Sequence, residues 1–522
     1  MTGKTLMIQG TSSSAGKSLL TTALCRCFAR RGIRVAPFKA QNMSNNAAVC
    51  SDGAEIGRSQ ALQAIAAGVA PTSDMNPILL KPEGDKHSQV IVNGRPLGSL
   101  EASEYFRRRD QYWSVVTGAV DRLRADHELV IIEGAGSPAE LNLTDVEIVN
   151  MSVARYCRSP VILVGDIERG GVFAQLLGTL WLLTPEDRSL VRGLVVNKFR
   201  GDLKLFDRGV QILQERGAVP VLGVLPWIDA LRLPEEDAIA LIDSTCNSTC
   251  NGIQPDASAD GRLEVVIIHL PHIANFDDFD PLAGEPSVRV RYARSVEQVG
   301  RPQVIVLPGT KNTLDDLNWL RMTGLATKVG ELAAQGVAVV GICGGYQMLG
   351  RRLSNPAQIE SNWTSAEGLG LLDVETLFHQ QKQTSQVRAQ VICERIAPGT
   401  CGQWITGYEI HTGQTRSTSP WLEREQDPNG ASSAGRDGLG DGAVSPDGRV
   451  WGCYLHGLFH NDAFRAAWLA TFGVHAGPSR AANANQSIDR SLDRLADAFE
   501  VHIDMNQLEH IIWNSEPNHA AV

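Results

Sequence analysis

Short, mostly apolar runs recur along the whole chain, several of them closing on a glycine-rich or polar turn. Thr5–Gln9, Arg34–Lys39, Leu129–Ile132, Val161–Val164, Leu194–Val196 and Val219–Leu225 lie in the first half. Val265–Leu270, Val304–Leu307 and Val337–Ile342 lie in the second, with a further run leading to His456. Such runs are short for helices, and they lack the strict alternation of a half-solvated antiparallel strand. Helical patterns lie between many of them. A chain patterned this way buries its strands between layers of helices. The expectation is therefore an α/β fold with two doubly wound, mostly parallel-sheet domains.

At 522 residues the chain has room for more than one core. Ser244–Gly261 is polar and poor in helix formers, and it reads as a linker. The expected segmentation is 1–243, linker 244–261, a second domain 262–475 and a helical tail 476–522. Glu425–Asp447, rich in Gly, Ser and Asp, reads as an exposed excursion. A formal net charge of −10 argues against nucleic acid or an anionic membrane as the main partner. The ten cysteines show no disulfide framework. Cys25 with Cys27 and Cys246 with Cys250 are close in sequence but lack the paired spacing of a zinc site. No leader or membrane-length apolar run is evident, so a cytoplasmic location is expected. Oligomeric state is not legible.

The first apolar run opens into Gly10-Thr11-Ser12-Ser13-Ser14-Ala15-Gly16-Lys17-Ser18. This is a phosphate loop with one residue more than the common spacing. Backbone N–H groups near Gly10, Thr11 and Gly16 suit phosphate oxygens, Lys17 suits the terminal phosphates, and Ser18 suits Mg²⁺. The third run ends in Glu133, an acidic residue where a metal bridging the phosphates would sit. Asp52 and Glu55 are further candidate metal ligands. Asn197-Lys198 follows a late strand, and Asn197 is a candidate for the nucleotide base. Arg200 stands where a guanine-reading acid would be, which favours ATP. The amide-rich stretch after the second run offers Gln41, Asn42, Ser44 and Asn45 to a polar substrate.

In the second half, Gly341-Ile342-Cys343-Gly344-Gly345 joins a buried strand to a helical pattern. This is the layout of a nucleophile turn, with cysteine as the nucleophile. Flanking glycines leave room where a side chain would collide with the strand or helix. Backbone N–H groups of Gly344, and of Gly309 in the turn after Val304–Leu307, suit an oxyanion. The alternative is a buried structural cysteine. A thiol nucleophile needs a base. His456, at the end of an apolar run beside Gly457, is the leading candidate and His411 the rival.

Gly-Ile-Cys-Gly-Gly-Tyr-Gln, Tyr-Leu-His-Gly-Leu-Phe and Gly-Tyr-Glu-Ile-His-Thr-Gly resemble the class I glutamine amidotransferase domain of corrin-amidating enzymes. The longer phosphate loop is similar to that of dethiobiotin-synthetase-like ATPases. Both halves in this order, with Phe-Lys-Ala-Gln-Asn-Met-Ser-Asn-Asn and Glu-Gly-Ala-Gly-Ser-Pro-Ala-Glu, resemble the glutamine-hydrolysing cobyric acid synthase family over nearly the whole chain. The resemblance implies a P-loop NTPase-like synthetase domain followed by a flavodoxin-like class I glutaminase. It implies ATP and Mg²⁺ as cofactors and L-glutamine as nitrogen donor. The substrate would be a corrin polycarboxylate, adenosylcobyrinic acid a,c-diamide, amidated at its b, d, e and g carboxylates. Two other readings are a related amidoligase acting on another polycarboxylate and a ParA- or MinD-like ATPase switch. The switch reading lacks its early loop lysine and has no use for a thiol turn. Many class I glutaminases orient their histidine with an acid two residues on. Here that position is Leu458, so the orienting group is not evident from the sequence.

Overall fold

The computed structural model describes residues 2–83, 87–143, 146–228, 231, 233, 234, 261–425, 440–474 and 484–514. Two compact units divide the chain. The first comprises Met1–Ser44, Ala54–Leu233 and Ser487–Val522; the second comprises Asn45–Gly53 and Pro234–Gln486. This departs from the expected segmentation in two places. A nine-residue piece of the N-terminal half, Asn45–Gly53, belongs to the second unit, and the C-terminal tail belongs to the first.

The first unit is built on a six-stranded sheet in the order Val221–Pro226, Val191–Phe199, Val161–Asp166, Lys4–Gly10, Leu129–Glu133, Val35–Phe38. All neighbouring pairs are parallel. The chain leaves the central strand for one edge and later returns to its other side. The carboxyl ends beside Lys4–Gly10 therefore form the crevice where such sheets bind ligands. Successive residues of that strand serve opposite layers. Leu6 and Ile8 join the core of helix Lys17–Arg30, while Met7 joins that of helices Arg109–Asp126 and Val172–Leu182.

The tail forms helices Ala484–His502 and Met505–Asn514. Leu492, Leu495, Phe499, Leu508 and Ile512 are buried in the Leu6–Ile8 core. Arg26–Asp493, Arg30–Asp497 and Arg31–Glu500 ion pairs line the rim. The apolar contacts dominate: each fully buried Leu or Phe contributes roughly 1.5–3 kcal/mol, against about 0.2–1 kcal/mol for an exposed pair.

The Gln41–Asn46 region is not a plain loop. Gln41–Met43 pairs in parallel with Ile78–Pro82, which continues antiparallel into His87–Val92 and Arg95–Glu101. Helix Arg58–Ala67 follows a short strand Glu55–Gly57.

The second unit holds a six-stranded sheet ordered Val288–Ala293, Leu263–Ile268, Val304–Leu307, Ala338–Ile342, Val450–Cys453, Ala443–Val444. Only the last pairing is antiparallel. A second sheet, not foreseen from the sequence, centres on the long antiparallel hairpin Val374–Val391 with Trp404–Ser417. The expected excursion 425–447 contributes strands at Gly440–Asp441 and Ala443–Val444, while 426–439 lies outside the described residues. The linker 244–260 also lies outside them. Among the described residues no helix is long and apolar enough to cross a membrane, and the cysteines are free.

Candidate functional site

In the first unit the phosphate loop joins the central strand to helix Lys17–Arg30. Gly16 turns the chain at φ 99°, the left-handed region that glycine occupies without strain. A Cβ there would lie 2.1 Å from Asn197 Nδ2. Asn197 donates that amide to the Ala15 carbonyl at 2.9 Å, so it braces the loop. Thr11 N–H is bonded to Val164 O and its hydroxyl donates to Gln175 Oε1. The Lys17 ammonium curls onto the carbonyls of Ser12 (2.8 Å) and Gly136 (3.0 Å).

Ser18 and Glu133 meet as expected, with Ser18 Oγ donating to Glu133 Oε1 at 2.8 Å. Two further partners of Glu133 went unread in the sequence. Lys39 Nζ lies 2.9 Å from Oε1, and Gln63 Nε2 donates to Oε2 at 2.6 Å. A buried carboxylate needs such compensation. Gln63 comes from a helix with no local signature for the role. The remaining metal expectations do not converge on Glu133. Glu55 is neutralised by Lys81, 2.6 Å away, with both side chains buried. Asp52 is exposed and belongs to the second unit. Among the described residues no group of three or more His, Cys, Asp or Glu gathers as a metal site. A hydroxyl and a carboxylate in contact remain, and these hard oxygen donors fit Mg²⁺ shared with phosphates.

The amide stretch is largely structural. Gln41 Oε1 accepts from the Tyr105 hydroxyl. Asn42 donates to Gln60 Oε1 at 3.1 Å and caps its own strand at Met43 N. Ser44 N–H bonds Leu80 O. Asn45 differs, because its Oδ1 is buried with no partner, the mark of a group that a ligand would satisfy.

In the second unit Cys343 sits between strand Ala338–Ile342 and helix Gly344–Leu349 at φ 51°, ψ −109°. A non-glycine residue there is strained, as a nucleophile turn requires. The glycines are obligatory. A Cβ on Gly345 would lie 1.9 Å from Leu307 O, and one on Gly341 would lie 2.7 Å from Tyr346 N. A Cβ on Gly344 would lie 2.6 Å from Thr310 Cγ2. Gly309 packs so closely that an added Cβ would be 2.9 Å from His456 Cε1.

His456 lies just beyond strand Val450–Cys453, fixed by a two-way backbone bridge to Tyr408. The Tyr408 ring stacks on the imidazole at 5.2 Å. His456 Nδ1 faces Asp278 Oδ2 at 2.7 Å, and Gly457 N–H donates to the other oxygen at 2.8 Å. Asp278 is the orienting acid that Leu458 could not be. Burial alone would lower the His456 pKa. The Asp278 charge and a hydrogen bond to Cys343 override this and raise it to about 10. His411 is excluded as the base. Its Nδ1 is on Gly413 O at 2.7 Å, its Nε2 on Glu409 at 3.3 Å, and its ring stacks on Tyr454. A buried polar chain backs the turn: Thr313 donates to Gln347 Oε1, and Gln347 donates to the Tyr454 hydroxyl. Beside it, burial raises the Glu360 pKa despite hydrogen bonds from Thr412 and Thr313.

A phosphate loop in one unit and a cysteine turn beside an Asp-held histidine in the other, carried on one chain, are the layout of the glutamine-dependent ligases. Residues 6–240 match the CobQ/CobB/MinD/ParA nucleotide binding domain. Residues 264–464 match the CobB/CobQ-like glutamine amidotransferase domain. The cobyric acid synthase of Chloroflexus aurantiacus is 52% identical over 502 residues, covering 96% of this chain and 98% of the relative. That of Roseiflexus castenholzii is 52% identical, covering 91% and 93%. That of Sorangium cellulosum is 47% identical, covering 98% and 99%. The chain belongs to the cobyric acid synthase family.

Proposed function

We propose that this chain amidates the b, d, e and g carboxylates of adenosylcobyrinic acid a,c-diamide, giving adenosylcobyric acid, with ATP as activator and L-glutamine as nitrogen source. The observation that carries this is full-length similarity to cobyric acid synthases together with a Cys343–His456–Asp278 constellation. Its setting would be the cytoplasm.

Cys343 passes its proton to His456 Nε2 and its Sγ attacks the glutamine amide carbon. As the C–N bond breaks, His456 gives its proton to the leaving ammonia, and a thioester remains. His456 then takes a proton from water, which attacks the thioester and releases glutamate and the thiol. Asp278 holds the imidazole in register and stabilises its charged form. Backbone N–H groups of Gly344 and Gly309 serve the oxyanion. Asn45, with its unpartnered Oδ1, is offered to the corrin amides.

In the first unit Lys17 neutralises the terminal phosphates of ATP, and Asn197 keeps the loop in shape. Ser18 and Glu133 would hold Mg²⁺, which supplies charge neutralisation when bound. A substrate carboxylate attacks the γ-phosphorus and ADP leaves, giving an acyl phosphate. Ammonia attacks the acyl carbon and phosphate departs.

The test is product mass. Incubation with ATP, Mg²⁺, glutamine and adenosylcobyrinic acid a,c-diamide should add up to four amides to the corrin. A corrin unchanged with both glutamine and ammonium would overturn the substrate assignment.

A further inference from the structure

Asn275 stands at φ 52°, ψ 43°, between the Leu263–Ile268 strand and the turn carrying Asp278. All of its polar groups are engaged, and two of its partners come from the piece of the N-terminal half that belongs to the second unit. Its backbone N–H donates to Asn46 Oδ1 at 2.7 Å. Its side-chain Oδ1 accepts from the Ala47 N–H at 3.0 Å. Its Nδ2 faces His456 Nε2 at 3.4 Å. The same piece is tied further along, where Gln386 Nε2 donates to the Val49 carbonyl.

The orientation of this amide has a chemical consequence. Ala47 offers an N–H, so the Asn275 oxygen must turn toward it and the NH₂ must turn toward His456. An N–H donor at Nε2 needs a lone pair there. It therefore works against the imidazolium that the Asp278 charge favours, which carries a proton on Nε2 as well as on Nδ1. The thiol chemistry uses that same lone pair, first to take the Cys343 proton and then to hold it as imidazolium. Asn275 and Cys343 thus compete for one nitrogen. The other groups facing the ring are Asp278, whose charge favours the imidazolium, and the uncharged stacked ring of Tyr408. The buried Glu409, held by Arg424, adds a more distant negative charge.

We propose that Asn275 is a positioning residue that restrains His456, and that segment Asn45–Gly53 sets the restraint by dictating which end of the Asn275 amide meets the imidazole. The segment opens with Asn45 and Asn46, the last two residues of the amide-rich stretch. Displacement of Asn46 and Ala47 lets the Asn275 side chain rotate, bringing its carbonyl to Nε2. That arrangement accepts the Nε2 proton and supports the imidazolium beside the Cys343 thiolate. Glutamine hydrolysis is then slow until acceptor substrate moves the segment. This rests on the reading of Cys343 and His456 as the glutaminase pair.

The experiment compares ammonia release from glutamine with and without ATP, Mg²⁺ and the corrin diamide, in wild type, Asn275→Gly and Asn46→Ala. Glycine keeps the left-handed backbone at 275 without strain. Wild type is expected to release ammonia faster with acceptor present. Asn275→Gly, which removes the hydrogen bond to the ring, is expected to raise the acceptor-free rate by about fivefold, and Asn46→Ala, which frees the Asn275 backbone N–H, is expected to raise it in the same direction. The stimulated-to-basal ratio should fall correspondingly, while Asn275→Gly retains ammonium-dependent synthesis. An unchanged ratio in both variants, or hydrolysis lost in Asn275→Gly under both conditions, overturns the restraint. Because the acceptor-free rate needs no corrin chemistry, the outcome is distinguishable from failure of the substrate assignment.

Discussion

Asp278 Oδ2 lies 2.7 Å from His456 Nδ1, although 178 residues separate the two in sequence. The acid arrives from the turn after the Leu263–Ile268 strand, and its second oxygen is fixed by Gly457 N–H. A histidine held this way has one tautomer and one orientation, which leaves Nε2 for the thiol. Asp278→Asn keeps the shape but removes the charge. Glutamine-dependent amidation should fall on the order of 100-fold. Ammonium-dependent amidation should be retained. Steady-state rates with each donor check this.

The same pair sets a pH dependence. Folded His456 holds its proton to about 10, above its ordinary 6.5. The charged pair with Asp278 is therefore complete at neutral pH and lost as pH rises through about 10. Its contribution to stability has the same sign. It is full below the unfolded value near 6.5 and is lost as pH rises through the folded value. The alkaline limb of the glutaminase profile should move toward neutral pH in Asp278→Asn. A pH–rate profile of both proteins measures it.

Lys81 and Glu55 form a buried ion pair in the first unit. Removing one partner strands a charge. Lys81→Met should cost about 3–5 kcal/mol, and adding Glu55→Gln should recover much of it. Denaturant unfolding of the single and double variants tests this. If Glu55 were instead a metal ligand, Glu55→Gln would raise the Mg²⁺ needed for half-maximal rate, a change not expected here.

Gly345 faces Leu307 O so closely that no side chain fits. Gly345→Ala must push the nucleophile turn off its strand, at a cost of about 3 kcal/mol or more. Loss of glutaminase with lowered thermal stability is expected.

The parallel sheets were legible because each central strand is buried on both faces and leaves an unbroken apolar run. Val304–Leu307 matches its run residue for residue. The phosphate loop and the Cys343 turn were legible because their steric demands fall on adjacent residues. His456 was legible as a strand-end histidine. Asp278, Lys39 and Gln63 were not, since each acts through a contact between distant elements and needs no local pattern. The Val374–Val391 hairpin is broken by a register shift between Phe378 and Gln383, which blurs its periodicity. The placement of Asn45–Gly53 in the second unit is a property of tertiary packing, and nothing in its composition announces it.

The most direct test of the division of labour is a donor comparison across two variants. Cys343→Ala and Lys17→Ala would each be assayed for corrin amidation with glutamine and with ammonium, and for ammonia release from glutamine. Cys343→Ala should amidate with ammonium alone and release no ammonia from glutamine. Lys17→Ala should amidate with neither donor yet still hydrolyse glutamine. Amidation from glutamine by Cys343→Ala, or full synthesis by Lys17→Ala, would contradict the account.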